Sequence, residues 1–172
     1  DKKFIPLINN PVSVKDTEKA VNIIDEAFID SVEKHFISDV PVGLLLSGGN
    51  DSSFIAAISK KIGKNPICFN ASIEGSLDND YAEKTAEYLK LPYEKVVIKQ
   101  REFEDQYREV WEILDQPTSD VSFIPTSLIY KSIKGKSKVV LSGEGGDEIF
   151  GGYLRHNNFA NFDVMNFGSP FP

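Results

Sequence analysis

Two glycine-rich segments of this chain carry residue types that bind phosphate groups and divalent cations. The first, Ser47 to Ser53, reads Ser-Gly-Gly-Asn-Asp-Ser-Ser. The second, Ser142 to Tyr153, contains three carboxylates and five glycines. Glycines allow backbone amides to approach an anionic ligand closely, and carboxylates can hold a divalent cation against that anion. Together the two segments predict a site for a polyphosphate ligand and a cation.

The first segment lies between an apolar run and a helical pattern. Val42 to Leu46 are all apolar, as expected of a strand buried on both faces of a parallel sheet. Apolar residues then recur at helical spacing at Phe54, Ile55, Ile58 and Ile62. The loop therefore joins the carboxyl end of a strand to the amino end of a helix, where unpaired N–H groups and the helix dipole attract anions. Ser47 and Ser52 add hydroxyl donors, and Asp51 helps only when a cation such as Mg²⁺ lies between it and the phosphate.

Neither segment fits the commoner nucleotide-binding patterns. A Walker A loop needs Gly-x-x-x-x-Gly-Lys, but Gly63-Lys64 has no glycine five residues upstream. The second segment fails as a dinucleotide fingerprint because Glu148 stands where a third glycine is required. Each segment also has a purely structural alternative, a glycine-rich connector for the first and an acidic turn capped by Asp147 for the second.

Length and composition limit the classes of protein to consider. At 172 residues and 41% hydrophobic residues, the chain is long enough for one domain with a core. No apolar run approaches the roughly 20 residues that span a bilayer, and a net charge of −7 disfavours binding to a nucleic-acid backbone. The single cysteine, Cys68, excludes an internal disulfide and is expected to be a buried thiol. We therefore expect a cytoplasmic protein that binds neither membranes nor nucleic acids.

Helix and strand patterns alternate along the chain, which predicts an α/β fold with a parallel sheet. Strands are predicted at Val42 to Leu46, Asn65 to Ala71, Tyr93 to Ile98 and Lys138 to Ser142. Helices are predicted from Asp16 to near Ser38, from Phe54 to Ile62, from Asp80 to Leu89, from Phe103 to Leu114 and from Pro125 to Ile133. Asp80 and Glu83 have the spacing of a capping box at the start of the third helix. Both chemical segments follow predicted strands, so we expect them at the ligand-binding edge of the sheet.

The order and spacing of the two segments resemble a known family. Ser-Gly-Gly-x-Asp-Ser resembles the PP-loop of ATP pyrophosphatases, and the Ser142 to Tyr153 signature follows about ninety residues later. With Asp39 to Gly43 before the loop and Tyr81-Ala82 opening the third helix, the pair resembles the synthetase domain of glutamine-hydrolysing asparagine synthetases. The resemblance runs from about Asp39 to His156.

The resemblance implies a three-layer, parallel-sheet PP-loop domain of the adenine nucleotide alpha hydrolase-like type. In that family Mg-ATP activates the aspartate side-chain carboxylate, giving β-aspartyl-AMP and pyrophosphate, and ammonia displaces AMP. The implied partners are aspartate or a similar carboxylate and ammonia from a separate or missing glutaminase domain, with a homodimer left open. The implied organisation is an N-terminal segment and amphipathic helix over 1–38, the ATP-binding core over 39–156 and an irregular tail over 157–172, without a glutaminase domain.

The family's functional residues carry over to positions of this sequence that match its motifs. The pyrophosphate would be held by Ser47, Gly48, Gly49, Asp51 and Ser52. Leu45 and Ala71 would lie against the adenosine, and Ser142 and Gly143 would contact the nucleotide. Glu144 would be the catalytic residue, supporting formation and aminolysis of the acyl-adenylate. Asp51 and Asp147 would bind Mg²⁺.

Three departures from the family pattern leave other functions open. The only cysteine is Cys68, no segment after Tyr153 matches the acidic and lysine-containing motifs of the family, and the second strand is predicted to end in Ala71-Ser72 rather than in a glycine. A relative that closes a ring with an internal amine, such as a β-lactam synthetase or a lasso-peptide cyclase, would need no ammonia. A truncated, non-catalytic nucleotide-binding remnant is the other alternative, and a tRNA-modifying PP-loop enzyme is disfavoured by the net charge of −7.

Overall fold

The computed structural model describes residues 16–75, 80–116, 120 and 122–154. Within these residues it contains four strands and six helices, which alternate along the chain except that two helices follow the third strand. The strands are β1 (Val42–Leu45), β2 (Cys68–Ile73), β3 (Tyr93–Ile98) and β4 (Val139–Leu141). The helices are α1 (Thr17–His35), α2 (Asn50–Lys61), α3 (Tyr81–Leu89), α4 (Gln100–Ile113), α5 (Phe123–Ile133) and α6 (Gly146–Phe150). The predicted α/β class is confirmed.

The four strands form one parallel sheet in the order β3-β2-β1-β4. The chain therefore moves outward from β1 through β2 to β3 and then crosses back to the other side of β1. Leu44 lies in register with Cys68 on one side and with Leu141 on the other. The reversal of strand order places a topological switch point between β1 and β4, where open parallel sheets form a ligand-binding crevice at the carboxyl ends of the strands.

Helices cover both faces of the sheet, which gives the predicted three layers. On one face, α2 and α3 pack over buried residues that include Leu44, Leu46 and Cys68. On the other face, α4 and α5 pack over a second cluster that includes Phe69 and Ile129. The connections from β1 to β2 and from β2 to β3 cross the sheet in one direction, whereas the connection from β3 to β4 crosses it in the other. Right-handed crossovers therefore place α2 and α3 on one face and α4 and α5 on the opposite face. The two clusters hold β1 and β2 rigidly from both sides.

Helix α1 packs outside the sheet, against α2. Its amino end is capped by Asp16, whose Oδ1 accepts hydrogen bonds from the amides of Glu18 at 3.0 Å and Lys19 at 3.2 Å. The rings of Phe28 and Phe54 meet edge to face with centroids 5.0 Å apart. These contacts place α1 beside the start of α2.

Two local predictions are wrong. The second strand begins at Cys68 and continues to Ile73, so Ala71 lies inside it rather than at its end. The pairing of all six β2 residues with β3 explains the extension, because it supplies backbone hydrogen bonds beyond the apolar run. The capping box at α3 does not form either, since Asp80 makes no side-chain cap hydrogen bond and instead accepts from Lys95 Nζ at 3.4 Å.

Among the residues that the structure describes, no helix combines the length and the apolar character needed to cross a membrane.

Candidate active site

A cleft of about 360 Å³ opens at the carboxyl ends of β1 and β4, at the switch point of the sheet. Of the eleven residues predicted to act at the site, ten line the cleft. Nine of these ten are Leu45, Ser47, Gly49, Asp51, Ser52, Ala71, Ser142, Gly143 and Glu144. Asp147, the second predicted metal ligand, also lines it. The fold therefore gathers the two sequence segments into one cavity, although they are separated by β2, β3 and three helices.

The first loop is held by a compact hydrogen-bond network around the buried Ser52 hydroxyl. Ser52 Oγ accepts from the amide of Ser47 at 3.3 Å, lies 3.0 Å from Ser47 Oγ and donates to the carbonyl of Gly49 at 3.3 Å. Ser47 Oγ also accepts from the amide of Gly49 at 3.3 Å. Ser52 is only 4% exposed, so these bonds are shielded from water. The loop is preorganised by its own side chains.

Gly48 is the predicted site residue that does not line the cleft. It has a φ of 82°, in the left-handed region that favours glycine. A Cβ at this position would lie 2.6 Å from the amide nitrogen of Ala82, at the start of α3. Gly48 therefore allows the loop to turn against α3, and its neighbours Ser47 and Gly49 face the cleft.

The loop ends at the amino terminus of α2. Gly49 is the N-cap residue and makes no side-chain capping bond, and Asp51 lies in the first turn. The first amides of a helix have no partner within the helix, so uncapped amides at this position can donate to an anionic ligand. Helix α2 is twelve residues long, and the positive end of its dipole lies at this turn, beside the cleft.

Asn70 supports the same loop from the neighbouring strand. Its Nδ2 donates to the carbonyl oxygen of Leu46 at 2.9 Å, where β1 has ended and the loop begins. Asn70 also lines the cleft. Sequence reasoning missed this residue because it lies inside an apolar strand pattern, and only the pairing of β1 with β2 shows that it meets Leu46.

The second loop packs directly against the first. A Cβ on Gly143 would lie 2.8 Å from the amide nitrogen of Ser52, and a Cβ on Gly146 would lie 2.6 Å from Asp51 Oδ1. Real Cβ atoms do not approach other atoms this closely, so a side chain at Gly143 would have to displace the backbone of Ser52, and one at Gly146 would have to displace the Asp51 side chain. The two glycines thus bring the β4 loop into contact with the start of α2 and with the Asp51 carboxylate.

The end of the second segment folds back on itself. Gly151 has a φ of 71°, and the amide of Gly152 donates to the carbonyl of Asp147 at 3.0 Å. A Cβ on Gly152 would overlap with the Asp147 carboxylate. The reversal brings Tyr153 over α6, and its hydroxyl donates to Glu148 Oε1 at 2.6 Å.

One wall of the cleft is apolar. It is formed by Leu45 and Ala71 together with Phe69 from β2 and Pro125 and Ile129 from α5. Such a surface suits a flat heterocyclic base. The contribution of α5 was not predicted, because its helical pattern alone does not show which residues cross over the switch point.

The charge of the cleft is negative. Four carboxylates line it, from Asp51, Glu144, Asp147 and Glu148, and none of the described lining residues is a lysine or arginine. A polyphosphate can bind beside carboxylates only when cations neutralise the repulsion. Asp51 and Asp147 fit Mg²⁺, which takes one or two protein carboxylates and completes its shell with phosphate oxygens and water. The described residues contain no cluster of three or more His, Cys, Asp or Glu side chains that would form an all-protein metal cage.

Comparison with known sequences decides the family. Residues 24–166 match the sequence model of the asparagine synthase family. The chain belongs to the asparagine synthase family. The match includes both loops of the cleft and every strand of the sheet.

Curated relatives of this family agree with that assignment. The chain is 38% identical over 145 residues to glutamine-hydrolyzing asparagine synthetase 1 of Bacillus subtilis, a match that covers 83% of this chain and 23% of the relative. It is 37% identical over 168 residues to glutamine-hydrolyzing asparagine synthetase B of Escherichia coli, covering 87% of this chain and 30% of the relative. The matches thus span 23% and 30% of the length of these two relatives.

A solved structure supports the fold. NMN synthetase from Francisella tularensis superimposes with a TM-score of 0.53, covering 77% of this chain and 58% of the other, at 14% sequence identity. At this identity the likeness concerns the fold alone, and it agrees with the parallel PP-loop α/β architecture of this asparagine synthase family member.

Proposed function

We propose that the cleft binds Mg-ATP and transfers AMP to a carboxylate, which an amine then attacks to form an amide. The observation that carries this proposal is the contact between the two family segments across the switch point, where Gly143 meets the backbone of Ser52 and Gly146 meets Asp51. This contact brings the amino terminus of α2 and the Glu144 loop to one cavity. Aspartate is the proposed carboxylate, because the curated relatives are named asparagine synthetases.

Each part of the nucleotide has a matching surface in the cleft. The adenosine would lie against the apolar wall that includes Leu45 and Ala71. The phosphates would accept hydrogen bonds from the amides at the start of α2. The Ser47 and Ser52 hydroxyls, which bond to each other and to the Gly49 carbonyl, would have to turn from these partners to donate to the phosphates. Ser142 and Gly143, at the end of β4, would contact the nucleotide from the opposite side.

Asp51 and Asp147 are the residues proposed to hold Mg²⁺. When bound, the ion would neutralise phosphate charge in a cleft whose own charge is negative. Gly146 and Gly152 keep these two carboxylates in place, because each lies where a Cβ would displace the neighbouring carboxylate. The short α6 helix therefore serves to position carboxylates.

The proposed chemistry has two steps. A carboxylate oxygen of the substrate attacks the α-phosphorus of ATP, and the bond to the β-phosphate oxygen breaks as pyrophosphate leaves with the electron pair. An amine then attacks the acyl carbon, and AMP leaves with the electrons of the acyl–oxygen bond. The attacking amine must lose a proton, and we assign its acceptance to the carboxylate of Glu144, which lines the cleft. Backbone donors stabilise the charge that develops on the phosphates in the first step.

Ammonia is the proposed amine. The curated relatives are named as glutamine-hydrolyzing enzymes, and the described residues contain one cysteine, Cys68, which is fully buried in the core and so is not placed to attack glutamine. We therefore propose that ammonia reaches the cleft from a glutaminase that lies outside residues 16–154 or on a separate protein. A cytoplasmic location and a homodimeric state are further parts of the same proposal.

The proposal is tested by exchange of labelled pyrophosphate into ATP, measured on the whole protein with and without aspartate. Aspartate should stimulate the exchange. Asp51→Asn should reduce it by a factor of about 100 or more, and Glu144→Ala should reduce amide formation at least as strongly, because each removes a charge that acts at the reacting groups. Asp105→Asn, on the exposed surface of α4, is the matched control and should leave the exchange unchanged.

Three other outcomes would change the assignment. Exchange stimulated by another carboxylic acid and not by aspartate would refute the substrate and favour a ring-closing relative. Binding of Mg-ATP in calorimetry without exchange by any acid would favour the non-catalytic nucleotide-binding alternative. Equal loss in Asp51→Asn and Asp105→Asn would show that the loss does not report on the cleft.

A further inference from the structure

One peptide group at the start of the first loop is held at both of its polar ends. The carbonyl oxygen of Leu46 accepts a hydrogen bond from Asn70 Nδ2 at 2.9 Å, and the amide of Ser47, in the same peptide group, donates to Ser52 Oγ at 3.3 Å. The two partners come from different elements, Asn70 from β2 and Ser52 from α2. We infer that Asn70 is a positioning residue for nucleotide binding, which acts by fixing the orientation of this peptide group. The inference rests on the proposed function and names a residue outside both loops on which phosphate affinity depends.

The bond from Asn70 continues the hydrogen bonding of the sheet past the end of β1. The pairing of β1 with β2 reaches Leu45 and Phe69, and the amide of Leu46 then donates to the carbonyl of Phe69 at 2.8 Å. The carbonyl of Leu46 is bonded by the side chain of Asn70. A side-chain amide therefore holds the chain where the strand becomes the loop, and it fixes the direction in which Ser47 leaves the sheet.

An asparagine is an unfavourable residue at this place in a strand. Asparagine is depleted in strands, and the preceding residues Cys68 and Phe69 are fully buried. Phe69 and Ala71 pack on the α5 side of the sheet, so the alternation of side chains places Asn70 on the α2 side, beneath the first loop. A polar side chain in such a strand costs stability unless it is hydrogen-bonded. Departures of this kind from local preference are expected where a residue serves a site.

The carbonyl of Leu46 depends on this bond because water cannot replace it. Leu46 is only 1% exposed, and a shielded carbonyl that loses its donor is left unsatisfied. Without the Asn70 amide, we expect the peptide group to turn toward the open cleft, which draws the Ser47 amide away from Ser52. The loop would then present its amides in another direction. Affinity for the phosphates should fall, whereas the apolar wall formed by Leu45 and Ala71 should keep its shape.

The test is calorimetry of the whole protein with Mg-ATP, magnesium pyrophosphate and AMP. Asn70→Leu keeps a branched side chain and removes the donor without adding a charge. We expect the Kd of Mg-ATP and of magnesium pyrophosphate to rise about 10-fold each and the Kd of AMP to stay within about twofold, because AMP lacks the two phosphates that the loop would hold. Asn65→Leu is the matched control. Asn65 is exposed and accepts from Lys60 Nζ at 2.9 Å, so its loss should alter none of the three constants.

A double variant tests whether Asn70 and Ser52 act on the same peptide group. If they do, the loss of either bond already frees the group, so adding Ser52→Ala to Asn70→Leu should have little further effect. We expect the Kd of Mg-ATP to rise about 10- to 20-fold in the double variant, well short of the roughly 100-fold product of two independent effects. The full product would overturn the shared role.

The remaining outcomes separate this inference from the proposed function. Equal weakening of Mg-ATP and AMP in Asn70→Leu would overturn the inference by showing a general structural role. An unchanged Kd of Mg-ATP in that variant would overturn the inference and leave the proposed function intact. Mg-ATP binding without exchange by any acid would overturn the proposed chemistry alone, since the dissociation constants are measured without turnover. Absence of Mg-ATP binding by the unchanged protein would overturn both.

Discussion

The two loops that meet in the cleft are fixed by different means. The first loop, after β1, is held by hydroxyl hydrogen bonds centred on Ser52, which is 4% exposed. The second loop, after β4, is held by the absence of side chains at Gly143, Gly146 and Gly152, each of which lies where a Cβ would meet a neighbouring atom. Removing the Ser52 hydroxyl would therefore weaken the first loop, whereas adding a Cβ at one of these glycines would displace the second loop.

The strands that precede the two loops also differ, in their position in the sheet and in their burial. β1 is an interior strand between β2 and β4, and its Leu44 is fully buried. β4 is a three-residue edge strand with a partly exposed Val139. The first loop therefore follows a buried interior strand, whereas the second loop follows an edge strand and is positioned by its contact with the first loop. Substitutions in the second loop should therefore change activity more than stability.

The largest expected effect comes from filling the space between the loops. Gly146→Ala places a methyl 2.6 Å from Asp51 Oδ1, so the short Asp51 side chain must turn away from the cleft. We expect aspartate-stimulated pyrophosphate exchange to fall about 100-fold, as for other misplacements of catalytic groups. The free energy of unfolding should change by less than about 1 kcal/mol, because the site is near the surface and the displaced atoms end a side chain.

A glycine far from the cleft gives the opposite pattern. Gly63 follows α2 with a φ of 75°, and a Cβ there meets no atom within 4 Å. Gly63→Ala should cost about 1 kcal/mol of stability through its left-handed backbone and leave exchange unchanged. Loss of exchange in Gly63→Ala, or loss of stability without loss of exchange in Gly146→Ala, would contradict the division between the loops.

The next effect concerns the bonds of the first loop. Ser52→Ala leaves the amide of Ser47 and the carbonyl of Gly49 without their hydroxyl partner in a shielded position. We expect a loss of about 2 kcal/mol in the free energy of unfolding and roughly 10-fold weaker binding of Mg-ATP. Urea denaturation and calorimetry would measure the two changes.

Ser59 in the same helix provides the control for that change. It is fully buried, and its hydroxyl donates to the carbonyl of Ile55 at 2.7 Å, away from the cleft. Ser59→Ala removes an equally buried hydroxyl without touching the loop, so Mg-ATP binding should be unchanged. If both variants weaken nucleotide binding alike, the Ser52 network does not preorganise the site.

Sequence patterns predicted the parts of the site that follow from local rules. An apolar run before a glycine loop located β1 and α2, and the alternation of elements predicted that Asp51 and Glu144 would reach the same edge of a parallel sheet. Spacing could not show strand pairing, so the Asn70 bond to Leu46 and the extension of β2 to Ile73 were missed. Both depend on a neighbour that is distant in sequence.

A competing side-chain contact explains the wrong prediction at Asp80. Asp80 has the spacing of a capping residue, yet its carboxylate accepts from Lys95 on β3, fifteen residues away. Local propensity is a weak guide where a charged group from another element is within reach. The same limit explains why Pro125 and Ile129 of α5 were not assigned to the cleft, since a helical pattern shows a buried face without showing what it covers.

The smallest expected effect tests the packed strands that support the first loop. Cys68 of β2 lies in register with Leu44, and burial raises the pKa of its thiol from 9.0 to about 11. The folded protein therefore holds the thiol neutral at a pH where the unfolded chain ionises it. The resulting stability is fully present below pH 9.0 and is lost as the pH rises toward about 11. Between pH 8 and pH 10, we expect this group to reduce the free energy of unfolding by about 1 kcal/mol.

Other groups titrate between pH 8 and pH 10, so the contribution of the thiol must be measured as the difference in stability between two proteins. Urea denaturation of the unchanged protein and of Cys68→Ala at pH 8 and pH 10 isolates the thiol, because lysines and tyrosines are common to both proteins. Cys68→Ala should lose less stability over this interval by about 1 kcal/mol. An identical loss in both proteins would mean that the thiol reaches solvent in the folded state. That outcome would remove the physical basis for treating β1 and β2 as the rigid support of the first loop, and with it the contrast between the two halves of the cleft.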